Sequence, residues 1–407
     1  MLCSVDFVSI CNESHDRLRA ALARGCGTEP DRVALHTVHQ HDAPGCDSET
    51  ERLLVSHGLG GLGFVEPWLP DLGAQFEAAT KAAVASGGTP VTHVGAGSAE
   101  VERVASNRHI MGEDGLVKLQ RQSSTGTNPE AAAAPEGTID RNLQVLGFWN
   151  GEMALASLSY YATHPMCGYG EGAVQWDFIG IARERFEAAL PPTGTAVHFT
   201  GAGGNVAVGK YNDGKPQRKQ ELAGRVATAM FSAWEDASAH RRPLLAADVA
   251  WHVEPVLLPL KPELSGPEAP LLACIDDTSD GKDDLNSPSS VYPRIFAAQD
   301  LVFARRARAG RTIDLTCLQV GNEARVLGMP GELFVEYQLA AQEILADAGT
   351  AVMMAAYADV GPGYIGTAAS YSYGPLCYET SPDRNNSRVT ADAEHVLMQG
   401  IHRLLGR

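Results

Sequence analysis

Short β-rich runs alternate with longer helical patterns along most of the chain, and this alternation limits the fold to an α/β class before any side-chain chemistry is considered. A strand over 3–9, a helix over about 14–24 stopped at Gly25, and a strand over 33–38 have the period of a βαβ element, which predicts parallel pairing of its two strands. Further strands are predicted at 142–149, 153–161, 195–200, 245–257, 312–319, 323–328 and 351–357, with Val320-Gly321-Asn322 as a hairpin turn between two of them. Helical patterns cover 70–86, 177–189, 217–236, 294–309, 332–346 and 390–404. Without internal repeats, the 407 residues read as one domain, 1–407: a large mixed β-sheet core with helices on both faces. Segments at about 42–66, 119–138 and 259–291, rich in Pro, Ser, Gly and acid, read as mobile loops, the last also as the one candidate boundary.

Charge narrows the function classes. With 32 Lys plus Arg against 49 Asp plus Glu, the net charge of -17 repels a phosphate backbone and an anionic membrane surface alike. No stretch approaches the roughly 20 apolar residues of a membrane span. The expected partner is therefore a small-molecule substrate, with no nucleic acid and no membrane; nothing in the sequence sets an oligomeric state. The eight cysteines are scattered without a C-x-x-C pair and read as reduced thiols. The start, MLCSVDFVSI, has no signal-peptide pattern, so a cytoplasmic location is expected.

In open α/β sheets ligands bind beyond the carboxyl ends of strands, and the polar clusters of this chain stand there. The 33–38 strand runs into His39-Gln40-His41-Asp42, and on an extended chain His39 and His41 share a face. The 153–161 strand ends in Thr163-His164-Pro165, the 195–200 strand in Gly201-Ala202-Gly203-Gly204-Asn205, and the 323–328 strand in Gly331-Glu332 at a helix start. Imidazole and carboxylate donors converging from several strands are what a divalent metal needs, and so the metal site is expected at these carboxyl ends. Taken singly, each residue has a plainer reading: a core histidine for His164, a favourable first-turn acid for Glu332. Gly58 to Gly63 satisfies G-x-G-x-x-G, but Pro67 and Pro70 prevent a helix from opening there, so 42–66 reads as a lid with glycine hinges rather than a dinucleotide site. Gly201 to Gly204 fits either close backbone approach to a ligand or a tight turn.

The ordered motifs VHQHDAPG, SNRH, YATHPM, FTGAGGN, GMPGE and the tyrosine-rich YIGTAASYSYGPLCYE together resemble the neutral/alkaline ceramidase superfamily over about residues 3–380. The resemblance implies Zn2+, with His39, His164 and Glu332 as ligands and Tyr364 as a phenolate ligand, although Tyr357, Tyr371, Tyr373 and Tyr378 compete for that place. It makes His41 and Arg108 the groups that hold the substrate carbonyl and its oxyanion, and Asp177 a support behind the ligands. His41 is read as the proton shuttle, Arg108 with the amide of Asn205 as oxyanion donors, and Asp42, Tyr371 and Tyr378 as substrate contacts. Where the superfamily has G-D-V-S-P, this chain has Gly204-Asn205-Val206-Ala207-Val208, so no serine is present for a nucleophilic step. The chain also ends at Arg407 without the immunoglobulin-like C-terminal domain and begins where the superfamily's second strand would stand, so it resembles the short bacterial ceramidase-like proteins. The expected activity is zinc-dependent hydrolysis, by an activated water, of an amide or related acyl bond in a small polar metabolite. Its rivals are acyl transfer or intramolecular cyclisation at the same site, and a non-catalytic binder.

Overall fold

Alternating apolar side chains make Asn142–Asn150 and Met153–Tyr161 an antiparallel pair, turned through Gly151 at a φ of 57°. In the computed structural model, which describes residues 1–62, 69–126, 128–277, 287–382 and 386–406, this pair is the centre of a five-stranded sheet. Thr195–Thr200 joins Met153–Tyr161 in parallel, and His93–Glu100 joins Asn142–Asn150 antiparallel. A second sheet runs Val249–Val256, Ile313–Val320, Ala324–Gly328, Ala351–Ala355, its middle pair joined by the expected turn at Gly321 and its last pair parallel. The two sheets face each other across Leu146, Tyr160 and Phe199 on one side and Val326, Met353 and Ala355 on the other.

Helices cover the outer faces. Gln217–Ala239 and Asp177–Glu187 lie over the first sheet, where Trp149 stacks on Trp234 at 4.7 Å. Val335–Ile344 and Ala393–Leu404 bury Tyr337, Leu397 and Ile401 against the second. The fold is thus the expected mixed β core with helices on both faces, but the core consists of two packed sheets rather than one. The opening βαβ element is present, with Leu2–Val5 parallel to Ala34–Thr37 and Asn12–Cys26 between them. Its first strand stops at Val5 because the chain turns, Phe7 N donating to Val5 O at 2.9 Å, before Ser9–Ile10 pairs with Gly45–Cys46.

Other differences from the sequence reading have physical causes. His93–Glu100, with glycine and alanine in place of β-branched residues, gives no strand signal. The glycines are there for the helix above: a Cβ on Gly95 or Gly97 would stand 2.1 Å from the carbonyl of Ala237 or Ala233. The 42–66 segment holds the helix Ser48–Ser56, capped by Asp47, and Leu54 and Leu59 complete a small core with Ile275, Ile295 and Leu301. The 259–291 segment holds Pro262–Ser265 and Ala269–Ile275 and the start of Pro288–Arg308, and 119–138 holds Pro129–Ala133. These helices are too short for their own periodicity to show, and their apolar faces are completed by distant residues. Residues 63–66 of the expected lid and 278–286 of the third loop lie outside the described residues. The 332–346 helix begins at Val335, leaving Glu332 on an extended segment. Among the described residues no helix is long and apolar enough to cross a membrane, and all eight cysteines are free thiols.

The helix-on-glycine contact has a direct test. Gly97→Val is expected to lower stability by about 3 kcal/mol, the upper range for inserting carbon into a filled contact, in a urea titration at unchanged slope.

Candidate metal centre

Three segments that follow strands deliver imidazoles and a carboxylate to one point. His39 follows Ala34–Thr37 and takes a left-handed conformation, φ 68°, with its N–H on Phe7 O at 2.9 Å. That backbone kink, not the alternation of an extended chain, brings His39 and His41 to the same side, their ring centroids 5.3 Å apart. His164 follows Met153–Tyr161 and is fully buried. Glu332 lies on Glu332–Leu333, which pairs in parallel with Tyr364–Ile365 in the register Glu332 to Tyr364. The glycines after Thr200 serve this convergence: a Cβ on Gly203 would stand 3.0 Å from Thr163 C, and one on Gly204 2.3 Å from Glu332 O. They allow the chain to pass between the backbones of two site segments and to turn, Val206 N donating to Gly203 O at 2.9 Å, so they serve a tight turn packed on neighbouring backbone rather than an approach to a ligand.

Hydrogen bonds define which ring nitrogen faces the site. His164 Nδ1 lies 2.6 Å from Gly203 O, and His39 Nδ1 2.5 Å from Val8 O. A carbonyl can only accept, so both Nδ1 atoms carry the proton and both Nε2 atoms, when neutral, present a lone pair. Those lone pairs meet the same carboxylate oxygen, Glu332 Oε2, at 3.0 Å from His164 and 3.3 Å from His39. Three electron-rich atoms so close require a positive charge among them. The nearest donor nitrogens of His39, His41 and His164 lie within 4.8 Å of one another, and the Nε2 atoms of His39 and His41 are buried without a hydrogen-bond partner. This donor set fits a divalent ion of the zinc type, with backbone carbonyls orienting the ligand rings from behind.

The electrostatics agree. Burial, reinforced by His39 and His164, pushes the His41 imidazolium well below its ordinary range, and burial lowers His164. Burial would raise Glu332, but His39 and His164 hold it well below the usual carboxylate range. Neutral imidazole and ionised carboxylate are the protonation states a metal requires.

Of the competing tyrosines, Tyr364 and Tyr378 line the cavity, edge to face at 6.0 Å. Tyr364 stands beside Glu332 and accepts a hydrogen bond from Arg108 at 3.2 Å, while burial and Glu332 push its phenol well up. Tyr357, at φ 61°, stacks on His39 at 4.4 Å with its hydroxyl 3.5 Å from His164 Nδ1, so it supports the ligand rings. Tyr371 instead bonds Ser387 at 3.1 Å and is not on the cavity wall. Arg108 is buried between Tyr364 and Tyr378, 3.1 Å from Glu379 Oε1.

Besides Tyr371, which is no substrate contact, three expected roles need correction. The side chain of Asn205 points to the helix start, where Oδ1 accepts from Val335 N at 2.9 Å and Nδ2 donates to Glu336 at 2.9 Å, so its amide is occupied as a cap and does not receive an oxyanion. Asp42 accepts from Gly170 N at 2.6 Å and from Gln175 at 2.7 Å, which commits it to the 168–175 loop rather than to a substrate. Asp177, at φ 53°, accepts from Cys167 N at 2.9 Å and its own helix, so it braces the chain just after His164 without touching a ligand ring.

The cavity in front of these residues measures about 240 Å³, and its far wall carries Asn12, Asp47, Gln299, Asn386 and Arg388. These residues come from separate segments with no shared motif, so the sequence does not mark them as one wall. Glu379 was visible only as the last letter of the tyrosine-rich motif; its partner Arg108 lies far earlier in the chain.

No family model matches this sequence, and no curated protein matches it. Among solved structures it is similar to neutral ceramidase from Pseudomonas aeruginosa, with a TM-score of 0.64 and 15% identity over 99% of this chain and 65% of that one. It is also similar to a ceramidase complexed with C2, with a TM-score of 0.65 and 15% identity over 98% and 65%. The fold is ceramidase-like, and the chain spans about two thirds (65%) of the length of those proteins.

The Arg108–Glu379 pair is deeply buried, so removing one partner strands the other charge. Glu379→Ala is expected to cost about 3–5 kcal/mol in chemical denaturation, whereas breaking the solvent-exposed Lys118–Glu130 pair leaves the midpoint nearly unchanged.

Proposed function

We propose that residues 1–407 form one catalytic unit, a cytoplasmic zinc-dependent hydrolase that cleaves an amide or related acyl bond of a small polar metabolite. The observation that supports this most is the meeting of the His39 and His164 lone pairs on Glu332 Oε2, with His41 alongside. His39, His164 and Glu332 would hold the ion, with Tyr364 next to them. Zinc bound there supplies Lewis acidity toward the scissile carbonyl and acidifies water to a pKa of about 7.

The chain's own residues supply the rest. His41, whose Nε2 is buried and unbonded, takes the proton from the attacking water and passes it to the leaving group. Arg108, held by Glu379 and bonded to the Tyr364 hydroxyl, adds a fixed positive charge beside the carbonyl oxygen. A side-chain nucleophile is not needed: Ala207, in the place of the superfamily serine, is buried on Val206–Ala207 and is absent from the cavity wall. A cavity of about 240 Å³ walled by Asn12, Asp47 and Gln299 favours a compact polar substrate over a two-chain lipid. Asp47 caps Ser48–Ser56 and accepts from Thr50 and Asn12, and burial lifts its carboxyl to about 6, so it adds polar character to the wall while its oxygens stay engaged.

Metal analysis and kinetics test this together. His164→Ala is expected to lose both bound zinc and activity, whereas His41→Ala keeps the metal and loses about 10²–10⁴ in kcat. Retention of full zinc and turnover by His164→Ala sinks the site. Ala207→Ser is expected to stay within about tenfold, near 1.4 kcal/mol, of the parent activity, and an acyl-enzyme trapped on any residue overturns the direct attack of water. Product analysis with added amines separates hydrolysis from acyl transfer or cyclisation.

A further inference from the structure

Next to Arg108, among residues that do not line the cavity, a second group of donors closes around a point of its own. His109 Nε2, Cys377 Sγ and a Glu379 carboxylate oxygen all lie within 4.8 Å of one another. Cys377 and Glu379 are fully buried and His109 is 9% exposed. We propose that these three residues form a second divalent-metal site, distinct from the His39–His164–Glu332 centre, that clamps the tyrosine-rich segment onto the strand His109–Met111.

The geometry is that of an arranged set. Glu379 Oε1 is occupied by Arg108 Nε at 3.1 Å and Gln120 Nε2 at 2.8 Å. That fixes the carboxylate so that Oε2 faces His109 Nε2 at 2.8 Å and Cys377 Sγ at 3.8 Å, with the sulfur 3.6 Å from the same nitrogen. Here, too, an imidazole and a carboxylate oxygen approach as closely as His164 and Glu332 do in the first centre. The Cys377 sulfur also lies 3.1 Å from Thr380 Oγ1, whose hydroxyl donates to Ser370 O, and a metal ion would take His109 Nε2, Cys377 Sγ and Glu379 Oε2 together. Thiolate, imidazole and carboxylate together match zinc and exclude the hard, all-oxygen ions magnesium and calcium. The outer contacts from Arg108 and Gln120 are the kind that orient a ligating carboxylate.

The charge balance also closes. Binding releases the thiol proton of Cys377 and the proton shared by His109 and Glu379 to solvent, so the 2+ ion is neutralised by one thiolate and one carboxylate. Arg108 keeps its contact to Oε1 throughout. Because the donors come from residues 109 and 377–379, the ion ties together two chain segments far apart in sequence, a larger loop closure than any turn supplies.

Cobalt distinguishes this from a purely hydrogen-bonded brace for Arg108. The full chain, stripped by a chelator and titrated with Co2+, is expected to take two equivalents, one with an intense thiolate-to-cobalt charge-transfer band. His164→Ala should retain the banded equivalent, and Zn2+ should raise its melting temperature. Adding Cys377→Ser to His164→Ala should abolish the band and the zinc-dependent shift, and His109→Asn, which leaves the Arg108–Glu379 pair intact, should do the same. Absence of the band from folded parent protein, or its persistence in Cys377→Ser, overturns the proposal. Failure of the first centre would look different: His164→Ala would then bind as much cobalt as the parent.

Discussion

Two imidazole lone pairs directed at one carboxylate oxygen are the constraint on which the rest of the structure depends. In water such an arrangement disperses; inside the protein it persists because each ring is fixed from behind by a backbone carbonyl, Val8 O for His39 and Gly203 O for His164. Burying Glu332 without a compensating charge would cost several kcal/mol, so the site is stable only with a positive charge at its centre. The fold accepts that cost at one place and surrounds it with rigid elements: the ends of Ala34–Thr37, Met153–Tyr161 and Ala324–Gly328 all terminate there. The glycines at 203 and 204 are part of the same solution, since any side chain would push those ends apart.

The sequence announces this arrangement unevenly. Strand ends carrying His39, His164 and Glu332 were legible because strand periodicity places them and because those residue types are uncommon together at sheet edges. The route by which they converge was not. His39 reaches the site through a left-handed kink that no periodicity predicts, and Asn205, polar and next to a glycine run, looks like a substrate contact until the helix at Val335 is seen to need a cap. Asp42 is a similar case: its position after His41 suggests a substrate contact, while its oxygens are filled by the 168–175 loop.

The same logic explains which secondary structure was missed. His93–Glu100 is a strand by virtue of its neighbours, its composition being set by the helix whose carbonyls would stand 2.1 Å from a Cβ at Gly95 or Gly97. The helices within 42–66 and 259–291 build a small core only in each other's presence, Leu54 against Ile275 and Leu301, so neither segment looks structured when read alone. Propensity is local, and in these segments the stabilising contacts are not.

Arg108 connects the two buried carboxylates of the site region, and its chemistry explains why a lysine would not serve. The guanidinium forms an ion pair with Glu379 on one edge, Nε 3.1 Å from Oε1, gives a terminal N–H to the Tyr364 hydroxyl on another, and turns its faces to the rings of Tyr364 and Tyr378 at 5.9 and 5.2 Å. A planar, always-charged group can make all of these contacts at once, whereas an ammonium is a single point on a flexible stem. Glu379 therefore sets where the positive charge stands, and through Tyr364, paired with Glu332 across two short strands, it sets that charge relative to the metal donors. The tyrosine-rich segment is thus neither a lid nor a surface decoration: it is the wall through which the electrostatics of the centre are held in place.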